Sequence, residues 1–259
     1  EVHLSSQGLL SSFPSANGIM ADLGGGSLEL SLIKDGKIEE FVSLKIGVVR
    51  FLNNYLKNKK SCIKKISKLL NSINWLQKNK GMNLYAIGGS FRSLAKVHIW
   101  TKKYPLSLIQ GYTINKNEIN ELIDLSSNIK SKTIKNISDI ENERIKTIPV
   151  ASLILNELLN TIKSKKMIFC SQGLREGFLY SLLDDETRLI DPLTFITKKM
   201  SKNFNNSFFD GELLFNWLNP IFKNENENFK RLRLAVSYLS ELSYWNNFKD
   251  IGCDYALNT

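Results

Sequence analysis

Apolar and polar residues alternate after the first turn of the chain. Leu28, Leu30 and Leu32 with Ile33 face one way, and Glu29 and Ser31 face the other, directly after the apolar run Ile19, Met20, Ala21 and Leu23. A period of two marks half-buried strands. The segment therefore predicts a hairpin bent at Gly24-Gly25-Gly26-Ser27. Asp35-Gly36 is a two-residue turn signal and leads to a third strand over Lys37 to Leu44. From Val48 to Lys78 the spacing becomes helical through Phe51, Tyr55, Ile63, Ile66, Leu69, Leu70, Ile73 and Leu76, with lysines on the other face. Asn83 to Ile87 reads as a short buried strand. Gly88-Gly89-Ser90 follows, then a helix through Leu94, Ala95 and Val97 with Ser90 as its N-cap.

The pattern continues with a loop and short strand over 104–114 and helical stretches at 115–127 and 137–145. Pro149 opens a helix whose apolar face is Leu153, Ile154, Leu158, Leu159 and Ile162. Met167 to Cys170 is a third buried strand, and a helix follows through Phe178, Leu182 and Leu183. The first 13 residues mix Leu4, Leu9, Leu10 and Phe13 with serines, ahead of a turn at Pro14 to Gly18. The charged stretch Asp184 to Arg188, ending at Asp191-Pro192, divides the chain into residues 1–190 and a helical region, 191–259. The helical region is expected to centre on Trp217, Leu218, Leu232, Leu234, Val236, Leu239, Leu242 and Trp245.

With 259 residues the chain is long enough for a substantial core in two domains. No apolar run approaches the roughly 18 residues of a membrane span, and no signal-peptide pattern is visible. The expected setting is the cytoplasm, without membrane contact. Cys62, Cys170 and Cys253 are odd in number and show no metal-binding or disulfide spacing, so buried free thiols are expected. His3 and His98 are too few for a histidine-rich metal site, so any metal falls to carboxylates. The net charge of +10 attracts polyanions. It lies largely in solvated lysine runs, in a composition heavy in Asn, Lys, Ile and Ser. No basic-aromatic interleaving suggests a nucleic-acid partner.

The chemistry concentrates at Asp22-Leu23-Gly24-Gly25-Gly26-Ser27. Consecutive glycines are costly inside a strand but let backbone N–H groups approach an anion closely. An aspartate just before such a bend repels an anion unless a divalent cation stands between them. The motif is neither a dinucleotide fingerprint nor a P-loop, since no helix opens at the third glycine and no Gly-Lys-Ser/Thr follows. Gly88-Gly89-Ser90 and Ser171-Gln172-Gly173 repeat the arrangement of a strand running into a glycine turn. Crevices beyond strand ends are where α/β sheets bind ligands.

Ala21 to Leu30, Leu44 to Phe51, Ala86 to Ser90 and Gln172 to Gly177 together resemble the Ppx/GppA family in order and spacing. These are exopolyphosphatases and guanosine pentaphosphate phosphohydrolases of bacteria. The resemblance covers about residues 1–183 and continues more loosely to Arg231-Leu232-Arg233-Leu234-Ala235. It implies an α/β fold of the actin/hexokinase/Hsp70 (ribonuclease H-like) type, followed by a small all-α region. It also implies a two-lobed enzyme of which this chain is the second lobe, with the first lobe and its own phosphate hairpin lying mostly before Glu1. On that footing these 259 residues alone are expected to be inactive.

The resemblance assigns Glu1, 21 positions before Asp22, as the base that activates water, although Val2 and His3 depart from the family's Ala and Arg there. It implies Mg²⁺ at Asp22, with Glu29 orienting the metal's water or the loop. Gly24, Gly25, Gly26 and Ser27 would grip phosphate, and Gly88, Gly89 and Ser90 the next phosphates or a nucleoside. The expected reaction is attack of water on a terminal phosphoanhydride of polyphosphate, with pppGpp as the alternative substrate. A sugar or carboxylate kinase of the same superfold and a non-catalytic polyphosphate or pppGpp sensor are the competing classes. Arg175 and Glu176 read more readily as an ion pair at a helix start than as site residues. Dimerisation through the helical region is left open.

Overall fold

The computed structural model describes residues 1–128, 137, 140–204 and 210–240. It divides into two compact units, Glu1–Leu183 and Asp184–Thr259.

The first unit is built on one six-stranded sheet. Its strands are β1 (Gly18–Leu23), β2 (Leu28–Lys34), β3 (Lys37–Leu44), β4 (Asn83–Ile87), β5 (Thr113–Asn115) and β6 (Lys166–Phe169), in the order β3-β2-β1-β4-β6-β5. β1, β2 and β3 form an antiparallel meander. β4 lies parallel to β1, and β6 parallel to β4. All three parallel strands therefore end at the same edge, and each runs out into a glycine turn. The Asp35-Gly36 turn is as expected: both residues have positive φ, 47° and 74°, as a tight turn matched to strand twist requires.

Alternation sorts the strand residues between two cores. Ile19, Ala21, Leu23, Leu28, Leu30, Leu84, Ala86, Met167 and Phe169 face one large cluster. There they meet α2 (Val48–Lys57), α3 (Lys59–Asn71), α4 (Asn74–Lys78), α5 (Gly89–Thr101), α6 (Lys116–Asn128), α7 (Asn142–Ile145) and α8 (Ile148–Ile162). Met20, Ile33, Tyr85, Ile87, Ile168 and Cys170 face a smaller cluster. It is completed by α1 (Val2–Ser12), and α9 (Leu174–Ser181) packs on that helix.

Two expectations change. The first 13 residues hold a helix, α1, whose backbones come very close to α9. A Cβ at Gly177 would lie 2.6 Å from the Gly8 nitrogen, and one at Gly8 would lie 2.9 Å from the Gly173 carbonyl carbon. The 48–78 helix is three helices. Asn58 is extended (φ −156°), ends α2, and caps α3 by accepting from the Ser61 amide at 3.0 Å. An asparagine side chain competes with helix continuation in this way. Buried Cys62 and Cys170 are free thiols as expected, while Cys253 lies outside the described residues.

The second unit contains α10 (Asp185–Leu189), α11 (Pro192–Phe204), α12 (Gly211–Leu218) and α13 (Glu227–Leu239). Its expected core is only partly right. Trp217, Leu232 and Val236 are exposed, while Ala235, Ser237 and Tyr238 are buried; Leu242 and Trp245 lie outside the described residues. Polar contacts tie these helices together instead. Arg231 pairs with both oxygens of Asp191 at 2.8 and 2.7 Å. Arg233 pairs with Glu225, donates to the Phe215 carbonyl at 2.7 Å and lies 3.8 Å from the Phe215 ring centroid.

Replacing Gly177 with Ala should destabilise the first unit by about 1–3 kcal/mol, the usual cost of forcing atoms into a filled contact. Urea unfolding is the measurement; an unchanged midpoint would mean that α1 and α9 separate without cost.

Candidate active site at the strand ends

The glycine bend between β1 and β2 is held from one side only. The Gly24 carbonyl accepts from the Val48 amide at 3.1 Å, and the Gly25 carbonyl accepts from the Val49 and Arg50 amides at 2.9 and 3.1 Å. The Arg50 side chain donates through Nε to the Gly26 carbonyl at 2.8 Å. These are the first amides of α2, which an isolated helix leaves without partners. A trans peptide carries its N–H opposite its C=O. With these carbonyls turned to α2, the N–H groups of Gly25, Gly26 and Ser27 turn away from it. None of the three donates to a backbone acceptor among the described residues. Gly47 makes the approach possible, since a Cβ there would fall on the backbone of Gly25 and Gly26.

Asp22 lies at the end of β1, on the α1 face of the sheet. Its Oδ2 accepts from the Ser5 hydroxyl at 2.7 Å. Its Oδ1 lies against Gly88, where a side chain would displace it. Gly88 also has a φ of +92°, which favours glycine. Burial raises the Asp22 carboxyl above the ordinary aspartate range. The Ser5 hydrogen bond and the Arg92 guanidinium pull it back, and Glu1 pushes it further up. Glu1, the expected base, is exposed at the N-cap position of α1, one turn before Ser5, whose amide donates to the Glu1 carbonyl at 2.9 Å.

Glu29 stands directly across the hairpin from Asp22. It is buried, 5% exposed, and accepts from the Ser43 hydroxyl at 3.2 Å. No group of three or more His, Cys, Asp or Glu placed to hold a metal occurs among the described residues. A protein cage for a metal is therefore not what this donor set offers. It does fit Mg²⁺, which commonly takes one or two carboxylates and completes its shell with water and phosphate oxygens. Of the carboxylates at the bend, Asp22 is the one that would hold it.

Gly88, Gly89 and Ser90 are brought beside Asp22, as the parallel pairing of β1 and β4 requires. The helix starts two residues earlier than expected, at Gly89, with Gly88 at the cap in place of Ser90. The third glycine turn joins them: Arg92, in the first turns of α5, donates to the Ser171 carbonyl at 2.9 Å. Glu176 is not primarily an ion-pair partner. Its Oε2 accepts from the Gly173 amide at 2.8 Å, which holds its carboxyl below the usual glutamate range. Beyond the strand ends, burial pushes the Cys170 thiol up to about 11, which makes it a structural thiol and not a nucleophile.

Sequence reasoning assigned no role to Ser5, Arg50 or Arg92. Arg50 lay inside a motif stretch, so a signal existed. Ser5 and Arg92 come to the site by tertiary packing, which no local spacing announces.

An acid that binds its proton more tightly when folded costs stability as pH rises from its ordinary value, 3.8 here, through its raised native value, and the cost is full above that. Asp22→Asn should therefore be at least as stable as the wild type at pH 7 in metal-free buffer. The difference should shrink as pH falls toward 3.8. Urea unfolding at several pH values tests this; a variant clearly weaker at pH 7 would contradict it.

The family model "Ppx/GppA phosphatase family" matches residues 1–186. The chain is 27% identical over 217 residues to Retrograde regulation protein 2 of Saccharomyces cerevisiae, covering 74% of this chain and 37% of that protein. It is 26% identical over 179 residues to Exopolyphosphatase 1 of Mycobacterium leprae, covering 65% and 52%. The Ppx/GppA phosphatase structure from Aquifex aeolicus superposes with a TM-score of 0.58 at 24% identity, covering 70% of this chain and 63% of that one. The chain thus spans about half or less of the length of these curated relatives. The shared fold is the expected actin/hexokinase/Hsp70-like one. With this match over the whole first unit, the chain belongs to the Ppx/GppA phosphatase family.

Proposed function

We propose that the full-length protein hydrolyses terminal phosphoanhydride bonds of inorganic polyphosphate by Mg²⁺-dependent attack of water. The observation that carries this is the one-sided glycine bend. Its carbonyls are spent on α2, and its N–H groups are left for an anion beside a half-buried carboxylate.

Phosphoryl transfer asks the protein chiefly for positioning and charge stabilisation. Backbone N–H groups of Gly25, Gly26 and Ser27, with the Ser27 hydroxyl, bind non-bridging phosphate oxygens. Gly88, Gly89 and Ser90 extend the grip along the chain. Asp22 is held in one orientation by Ser5 on one oxygen and by Gly88 against the other. Magnesium, when bound at Asp22, would neutralise charge on the phosphates, and Glu29 braces the hairpin opposite it. Glu1, exposed at the head of α1, takes the proton of the attacking water. Ser27 is not the nucleophile, since among the described residues neither histidine nor lysine is bonded to its hydroxyl to activate it.

Two observations bear on the alternatives. The likeness to an exopolyphosphatase favours polyphosphate over pppGpp. The yeast relative is named for regulation, which favours a second reading, a sensor that binds the same anion without turnover.

Purified full-length protein should release phosphate from long-chain polyphosphate only with Mg²⁺. Glu1→Gln and Asp22→Asn should each lower the rate by about 10²–10⁴, the range for a missing general base or its equivalent. Near-normal turnover in either variant refutes the assignment. Tight polyphosphate binding without turnover by the wild type selects the sensor, and faster release from pppGpp selects the alternative substrate.

A further inference from the structure

α5 leaves the second glycine turn at Gly89 and ends at Thr101. At the rise of an α-helix, its last turn stands roughly 16 Å from Gly89. A cavity of about 520 Å³ lies against that far end, in the size range of small-molecule sites. Lys96 and Trp100 line it from the helix, four residues apart and so on one face. Lys103, Tyr104 and Ser107 line it from the loop that follows. None of the described residues lining it is acidic.

Its aromatic walls are held in place yet open. Trp100 and Tyr104 are each 45% exposed. The Tyr104 ring meets Tyr112 edge-on, 5.1 Å between centroids. Tyr112 stacks on buried Phe169 at 5.9 Å, and its hydroxyl shares a 2.7 Å hydrogen bond with Nδ1 of buried His98. That column runs into the core, so Tyr104 is fixed while much of its surface is bare. The side-chain donors of Trp100, Lys103 and Ser107 meet no acceptor among the described residues. Lys96 is partly engaged: Arg144 chiefly, and Lys96 in lesser part, hold the Glu141 carboxyl below the usual glutamate range.

Lys103 adds a second sign. Its φ is +49°, at a helix exit where glycine is the usual residue. A lysine there costs stability that a glycine would spare. What it brings is a cation beside the cavity.

We propose that this cavity binds a planar aromatic anion of mononucleotide size, its ring against Trp100 and Tyr104 and its charged group on Lys103 and Lys96. Aromatic side chains stack any base, and lysine takes a phosphate as a point charge. The indole N–H and the Ser107 hydroxyl are left for acceptors on the ring or sugar. The site is separate from the strand ends and does not depend on what is bound there.

The test is calorimetric titration of the full-length protein with AMP, GMP, CMP and UMP. At least one should bind with a Kd below about 1 mM. Its nucleoside, which lacks the phosphate, and ribose 5-phosphate, which lacks the base, should each bind about tenfold more weakly or worse. Trp100→Ala should weaken binding about tenfold, the worth of one base stacked on an aromatic ring. Lys103→Gly should weaken it several-fold, while its melting temperature equals or exceeds that of the wild type, because glycine suits the backbone there. Saturating inorganic tripolyphosphate, which carries no ring, should leave the affinity unchanged. Failure of all four nucleotides to bind below that limit overturns the proposal. So does equal affinity of Lys103→Gly and the wild type, which decides the matter even where Trp100→Ala does not fold. Displacement by tripolyphosphate also overturns it, since the nucleotide would then sit at the glycine turns.

Discussion

The site depends on one arrangement, the N-terminus of α2 seated on the carbonyl side of the glycine bend. Left alone, the bend would be a floppy loop of three glycines, and the helix end would carry unpaired donors. Each cures the other's defect. The helix gives its first amides, and Arg50 its Nε, to the Gly24, Gly25 and Gly26 carbonyls. Peptide planarity then fixes the opposite face as a row of donors. This rigidity matters because a preorganised donor row need not reorganise when charge develops on a phosphate. Gly47 is as much part of the device as the three glycines before it.

A second constraint is that Asp22 sits where a charge is unwelcome. It lies at the end of a strand whose neighbours on the same face, Met20 and Ile87, are fully buried. Ser5 and Arg92 offset part of the penalty, and Glu1 adds to it. A site that keeps a half-buried carboxylate beside a second carboxylate gains nothing in stability from it. A divalent cation would relieve both at once, as the proposed metal and phosphate assembly requires. The surrounding backbone is shaped for the same end, since Gly88 removes the side chain that would push Oδ1 away.

The sheet and the bend were legible because their signals are local. Alternation gave β1 to β3, the Asp35-Gly36 turn carried its own conformational demand, and the three glycine turns marked the strand ends. What was not legible came from packing across distance. α1 lacks a strong apolar stripe: Gly8 and the serines that face the sheet and α9 serve close approach and hydrogen bonding, as Ser6 does with Ser31 at 2.8 Å. The 48–78 pattern kept its helical period across breaks that only the caps reveal. In the second unit, Trp217, Leu232 and Val236, read as core, are exposed, and arginine–carboxylate pairs join the helices instead. Of the site, the backbone grip was visible as a motif. Arg92 was not, because it reaches the site from α5 by tertiary packing.

The composition also misled in one respect. The net charge of +10 invites the thought of a polyanion track, yet the α3 lysines stand away from the glycine bend. Lys59, Lys60, Lys64, Lys65 and Lys68 belong to α3, which packs on α8 on the sheet face opposite Asp22. Lys59 and Lys65 lie over the rings of Tyr55 and Phe51, at 5.9 and 5.6 Å, and cover apolar surface. Arg50 stands at the bend and Arg92 near Asp22. Backbone N–H groups bind a phosphate whatever is attached to it, so they do not choose between a long chain and a nucleotide. That choice falls to side chains at the rim of the site.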